Sequence, residues 1–176
     1  MPSILSHPAV PLALAIGLGS RTISPRLLFA GVVASIIPDL DVLTFRLGIP
    51  YSNVMGHRGI SHSLAFAIGP GLLATASCTW LKTSRSSAFI FVAISAASHG
   101  LLDMLTNGGS GIAFLWPMSD SRFFFPTQVI EVSPLSMSRF FGSAGTRVLG
   151  SELMWVWTPS IAICFAIYAL RRRNAR

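Results

Sequence analysis

Acidic side chains are nearly missing from this sequence. Six Asp and Glu stand among 176 residues, and charged residues of both signs make up 11%. A soluble domain carries about 25%. A surface so poor in charge cannot keep a folded chain in water. This excludes an ordinary soluble domain and leaves an integral membrane protein. Cysteine is scarce too. Cys78 and Cys164 both lie in apolar stretches, and neither belongs to a CxxC pair. A disulfide framework and a thiolate zinc site are thereby excluded, and both cysteines read as packing residues. No GxSxG, HExxH or GxxxxGK occurs, so a serine nucleophile elbow, a zincin helix and a phosphate-cradling loop drop out. A cleavable signal peptide is not evident, because the first twenty residues lack a basic start.

What is present is apolar. Hydrophobic residues make up 52%, and the mean hydropathy is +0.64. A span needs about 20 residues, within a range of about 17–25. Five apolar segments can be read. Residues 8–20 and 27–38 are short, unless the second continues past Pro38-Asp39-Leu40-Asp41. They predict either two crossings or a shallow hairpin. Residues 62–81, 86–106 and 153–170 are long enough to cross. Between them, residues 107–152 read as one long irregular loop, rich in Gly, Ser, Pro and Phe, with Phe123-Phe124-Phe125 and Trp116 suited to an interface. The expected fold is all-α, a polytopic membrane bundle of about five apolar helices forming a single domain over 1–176.

The charges sort by face. Thirteen Lys and Arg give a net charge of +7, which could suggest nucleic acid. The basic residues instead gather at the ends of apolar segments, as membrane topology requires. Alternating spans bring 21–26, 82–85 and the tail 171–176 to one side. These hold Arg21, Arg26, Lys82, Arg85, Arg171, Arg172, Arg173 and Arg176, with no acid and no histidine. An excess of Lys and Arg marks the cytoplasmic side, so the C-terminus is expected there.

The opposite, non-cytoplasmic side receives every histidine. His7 is alone near the start. Asp39 and Asp41 follow the second segment. His57 and His62 sit in His57-Arg58-Gly59-Ile60-Ser61-His62, where Ser61 could cap the next helix. His99 and Asp103 stand four apart, on one face of a helix. Three of the six acids lie in these stretches. Imidazole with carboxylate suits a divalent metal, and zinc over the all-oxygen ions magnesium and calcium. An ionisable residue at membrane depth is costly and marks function. The expected ligands are His7, Asp39, His57, His62, His99 and Asp103, holding one to three ions. Asp41 is expected as a base or an orienter of ligands. Arg58 is expected to hold an anionic oxygen of substrate, with an interfacial anchor as the alternative. Thr106-Asn107-Gly108-Gly109 reads first as a turn, and Asp120 with Arg122 as a surface pair.

Ser6-His7, Pro38-Asp39-Leu40-Asp41, the run His57 to Ser63, His99-Gly-Leu-Leu-Asp103 through Gly109, and Leu115 through Phe125 resemble the YdjM-like family. That family is described as inner-membrane-associated, metal-dependent hydrolases and is also labelled LexA-binding. The resemblance runs from about residue 7 to 125. It implies an inner-membrane protein with a divalent metal site. A remoter similarity, carried by His99-xxx-Asp103, is to zinc-dependent phospholipase C and P1 nuclease. Those enzymes have a second such pair, and this chain has none. The function expected is hydrolysis of phosphoester bonds in lipid or lipid-linked substrates, by activated water attacking phosphorus. The alternatives are a divalent-metal transporter and a structural or regulatory membrane protein. Membrane lipids are the expected partners. A LexA-type repressor is implied by the family label alone, and it would meet only short basic loops.

Overall fold

The structure is a computed structural model and describes residues 1–134 and 136–174; Arg176, counted above in the basic tail, lies outside them. It is all-helical, as expected. Helix α1 spans Ala9–Leu18 and α2 Pro25–Ile36. A tighter 3₁₀ run, Ile37–Leu47, continues α2, and a 3₁₀ turn covers Ile60–His62. Helix α3 is Leu64–Ala76 and α4 Arg85–Met104. Helices α5 (Met137–Phe140) and α6 (Ser143–Glu152) lead through a π-helical turn, Leu153–Trp157, into α7 (Thr158–Asn174). Among the described residues there is no strand, only two isolated bridges, Thr106 to Ile130 and Ile112 to Phe123.

Among the described residues, three helices are long and apolar enough to cross a membrane: Pro25–Leu47, Arg85–Met104 and the 32-residue run Ser143–Asn174. The second apolar segment does continue past Pro38, because the chain tightens there into a 3₁₀ helix instead of stopping. Two expectations need correcting. Residues 62–81 do not make a full-length helix. Ser63 caps α3 by accepting from Phe66 N, so the helix starts at Leu64 and ends at Ala76. Its 13 residues rise about 20 Å, short of a hydrocarbon core of about 30 Å. Residues 107–152 are irregular only as far as the start of α5, since α6 already belongs to the long C-terminal helical run.

Helix α4 is the hub. It packs against α3 on one side and α2 on the other, while α1 packs on α7. In lipid, helices associate through close packing of small residues instead of through the hydrophobic effect. Gly31 of α2 faces the Phe91 ring and Ser95 Oγ of α4, and a Cβ there would stand 2.4 Å from the ring. Ala34, Ala67, Ala74, Ala88 and Ala96 continue this small-residue seam around Leu27, Phe91 and Val92. Caps fix the far end. Ser24 caps α2, and its hydroxyl donates to Leu81 O at 2.5 Å. Arg26 donates to Trp80 O at 2.9 Å. These bonds join the α1–α2 and α3–α4 links, so the basic residues gather at one end of the bundle. The start of α1, the end of α2, the start of α3 and the end of α4 meet at the other.

Candidate metal centre

Four segments bring His7, Asp39, His62, His99 and Asp103 together in the interior. All five are buried, three of them completely. His7 sits one turn ahead of α1. Asp39 opens the 3₁₀ run, where Pro38 has ended α2. His62 closes the turn before α3. His99 and Asp103 share a face of α4, as their spacing requires. Gly100 makes room for the approach, because a Cβ there would stand 2.6 Å from His62 O.

The donor atoms converge. His99 Nε2 is 3.0 Å from His62 Nε2 and 3.4 Å from Asp39 Oδ1. His62 Nε2 is 3.3 Å from Asp103 Oδ2. His7 Nε2 is 3.6 Å from Asp39 Oδ2 and 3.9 Å from Asp103 Oδ1. Donors held about 2.0–2.2 Å from one tetrahedral ion stand about 3.3–3.6 Å from each other. The observed separations bracket that value. Two sets, His7-His99-Asp103 and Asp39-His62-His99, are each compact enough to hold a metal ion.

The lone pairs are unpaired and aimed inward. His99 Nδ1 donates to Ser35 O at 2.8 Å. His62 Nδ1 lies 3.1 Å from Asp41 Oδ2. With each Nδ1 carrying its proton toward an acceptor, the two Nε2 atoms face one another as acceptors. Such a contact needs a cation between them, a proton or a metal. Both ring nitrogens of His7 and all four carboxylate oxygens of Asp39 and Asp103 have no hydrogen-bond partner. Buried polar atoms normally find one, so this orphaned set fits a divalent ion. Two carboxylates and three neutral imidazoles also balance a double positive charge.

Protonation outside the spans agrees. Burial, reinforced by the adjacent His99, holds the His7 imidazole down at about 3, so it is a free base at any working pH. Burial also pulls His62 down, but the neighbouring carboxylates of Asp103 and Asp41 outweigh it and hold the group up at about 9. Without metal, a proton on His62 stands where a cation would sit.

A second ring surrounds these five. Asp41 takes His57 Nδ1 at 2.5 Å on Oδ1, and Arg58 N at 3.0 Å and Ser61 Oγ at 2.5 Å on Oδ2. Asp41, expected as a base or an orienter, thus contacts His57, Arg58 and Ser61 together. His57, an expected ligand, stands in this outer ring. Its Nδ1 bonds Asp41, and it belongs to neither compact donor set. Ser61 is not the helix cap, because its hydroxyl is committed to Asp41. Arg58, the expected substrate contact, is buried. It is 1% exposed, and its guanidinium bonds Gly108 O at 2.7 Å and Thr106 Oγ1 at 2.9 Å. Its Nε stands 3.1 Å from Asp103 Oδ2, an ionic contact not aligned as a hydrogen bond. The backbone at Arg58 is left-handed, φ 62°, a conformation that costs a non-glycine residue and persists where surrounding bonds enforce it. Arg58 thus braces Asp103 from behind. A cavity of about 160 Å³, lined by Tyr51, His57, Arg58 and Gly109, lies against this outer ring.

Sequence reasoning missed Arg122. It does not pair with Asp120 but bonds the carbonyls of Tyr51 and His57, at 2.8 and 3.1 Å, tying the loop that carries His57 and Arg58. Glu152 was missed as well. It is 1% exposed and takes the Ser3 hydroxyl at 2.7 Å together with Ser3 N, anchoring the segment that presents His7. Neither role carried a sequence signal, since both join residues far apart in the chain.

The chain belongs to the YdjM inner membrane protein family, which matches residues 1–175. The match thus extends past the blocks ending at residue 125 and takes in α7. The chain is 46% identical over 173 residues to the inner membrane protein YbcI of Escherichia coli (strain K12), covering 98% of this chain and 100% of that protein. No solved structure matches it, so the likeness to zinc-dependent phospholipase C and P1 nuclease rests on the His99–Asp103 spacing alone.

Proposed function

Starting from membership in this inner membrane family, we propose that the protein is a metal-dependent hydrolase of phosphoester bonds in lipid or lipid-linked substrates, with its centre on the non-cytoplasmic side. The observation that carries this reading is the convergence of three imidazoles and two unpartnered carboxylates at one end of an apolar bundle. His7, Asp39, His62, His99 and Asp103 would hold the ion, zinc by their mix of nitrogen and oxygen donors. A bound divalent ion supplies Lewis acidity and lowers the pKa of water. The chain's own residues do the rest. Asp41 fixes the His62 tautomer and leaves its Nε2 facing inward, the arrangement that carboxylates give metal-binding histidines. Asp41 also holds His57 at the wall of the adjoining cavity. Arg58 neutralises part of the Asp103 charge and fixes its carboxylate. The lipid preference follows from depth, because the centre lies where spans end and headgroups begin.

The test uses the full chain in nanodiscs of phosphatidylethanolamine and phosphatidylglycerol. Metal is stripped with chelator and zinc is then restored. Headgroup release that disappears and returns with zinc is expected. A loaded centre that turns over no phosphoester retires the enzyme reading.

Burial favours a second reading, in which the metal only holds the fold. Catalytic zinc keeps an open coordination position, and the five donors here are almost wholly enclosed. In that case chelation would unfold the protein, and His62→Ala would lower yield instead of turnover. The transport alternative needs ligands along a path to the other face. Among the described residues, the links and tail at the basic end hold no His, Asp or Glu.

A further inference from the structure

The two helices that flank α4 barely touch one another. Helix α4 packs against both α2 and α3, and the space between those two stays open as a cleft. Two cavities of about 250 and 690 Å³ fill it, and they share Ile37, Pro70 and Leu73 as walls, so they form one continuous groove. The groove is built into the sequence. Gly69 offers no side chain, and a Cβ there would meet nothing within 4 Å. Pro70 removes a helix hydrogen bond within α3. Val92 of α4 forms part of the floor, and Phe29 and Val33 of α2 stand opposite.

The two ends of the groove differ. One reaches Trp80 and Leu81, at the basic end. The other reaches Ile37 and Ala65. Ile37 lies two residues before Asp39, and Ala65 three residues after His62. The groove therefore runs lengthwise along α3, for about 20 Å at 1.5 Å per residue, and its far end lies beside the chain segments that carry Asp39 and His62. A single leaflet contributes about half of a 30 Å hydrocarbon core. At about 15 Å, one acyl chain of one leaflet is shorter than the groove and lies within it.

We propose that this cleft holds the acyl chain of a single membrane lipid, which brings that lipid's headgroup to the His and Asp cluster. Three features distinguish it from ordinary lipid-facing surface. It lies beside two helices that barely touch, it is apolar along its length, and one end neighbours the segments that carry Asp39 and His62. The identification of the headgroup as substrate rests on the hydrolase reading above; occupancy of the groove does not.

The experiment places the full chain in nanodiscs containing phosphatidylglycerol with a photoreactive diazirine midway along one acyl chain. After illumination, adducts are mapped by mass spectrometry. Adducts concentrated on Phe29, Val33, Ile37 and Leu73 are expected. Gly69→Phe fills open space without displacing a neighbour and should abolish them, while adducts on Ile163 and Phe165 of α7 persist. Gly150→Phe, which adds the same bulk on α6, should change neither set. Adducts spread over every exposed apolar face, or a groove pattern unaltered by Gly69→Phe, would overturn the proposal. Headgroup release is followed in the same discs. Groove adducts without release retire the hydrolase and leave the lipid site standing.

Discussion

Asp41 accepts from His57, Arg58 N and Ser61 and also faces His62, which makes it the residue on which the outer ring turns. Asp41→Asn keeps its shape but loses the charge that orients His62. Changes of this kind cost about 10–100-fold in metal affinity. A competitive chelator titration against wild type measures the loss. His57→Gln is the contrasting variant. Because His57 is outside the donor set, metal content by elemental mass spectrometry should stay at the wild-type value, whereas His99→Ala should abolish it. The pH dependence follows from His62. Its folded value of about 9 lies above the ordinary 6.5, so in metal-free protein its stabilising contribution is whole below 6.5 and disappears as pH rises through 9. Thermal unfolding of chelated protein should therefore drop across that window. Metal must displace the same proton, so affinity should rise over the same range. A chelated protein equally stable at pH 6 and pH 9.5 would contradict the placement of that proton.

At the scale of elements, caps and small residues set where helices begin and how close they come. Ser63→Ala removes the α3 cap and should cost about 1 kcal/mol, read as a lower unfolding temperature in detergent. Gly31→Leu should cost more, because the Phe91 ring and Ser95 leave no space for a side chain. It would force α2 from α4 and carry Ser35 away from His99. Glu152→Ala strands the Ser3 amide and hydroxyl, so the segment presenting His7 should loosen. The readout is faster metal loss on dilution into chelator, with the bundle still folded. Sequence periodicity made α4 legible to within a residue or two, since His99 and Asp103 fall where its 3.6-residue repeat puts them on one face. It failed on α3. The apolar run 62–81 read as a span, but apolarity records burial in lipid and not where backbone hydrogen bonding stops.

For the whole molecule, the testable statement is orientation. The basic links and the metal centre lie at opposite ends of the bundle. With the basic end cytoplasmic, a cysteine introduced at Thr22 in a Cys78→Ala, Cys164→Ala background should be shielded from a membrane-impermeant thiol reagent in intact cells. A cysteine at Asp120 should be labelled. The same labelling at both positions would contradict the arrangement.

Composition and pattern by themselves determined that the chain is helical and membrane-embedded, that its basic and metal-type residues divide between two ends, and that His99 and Asp103 share a face. Those properties are local, or sums over residues, and need no knowledge of who touches whom. Only the tertiary structure decided that His57 bonds Asp41, that Arg58 is buried against Asp103, and that Arg122 and Glu152 hold the framework. It also decided that α2 and α3 part to leave a groove. Each of these depends on which atoms meet across tens of residues, and side-chain direction there is set by packing that no spacing rule encodes.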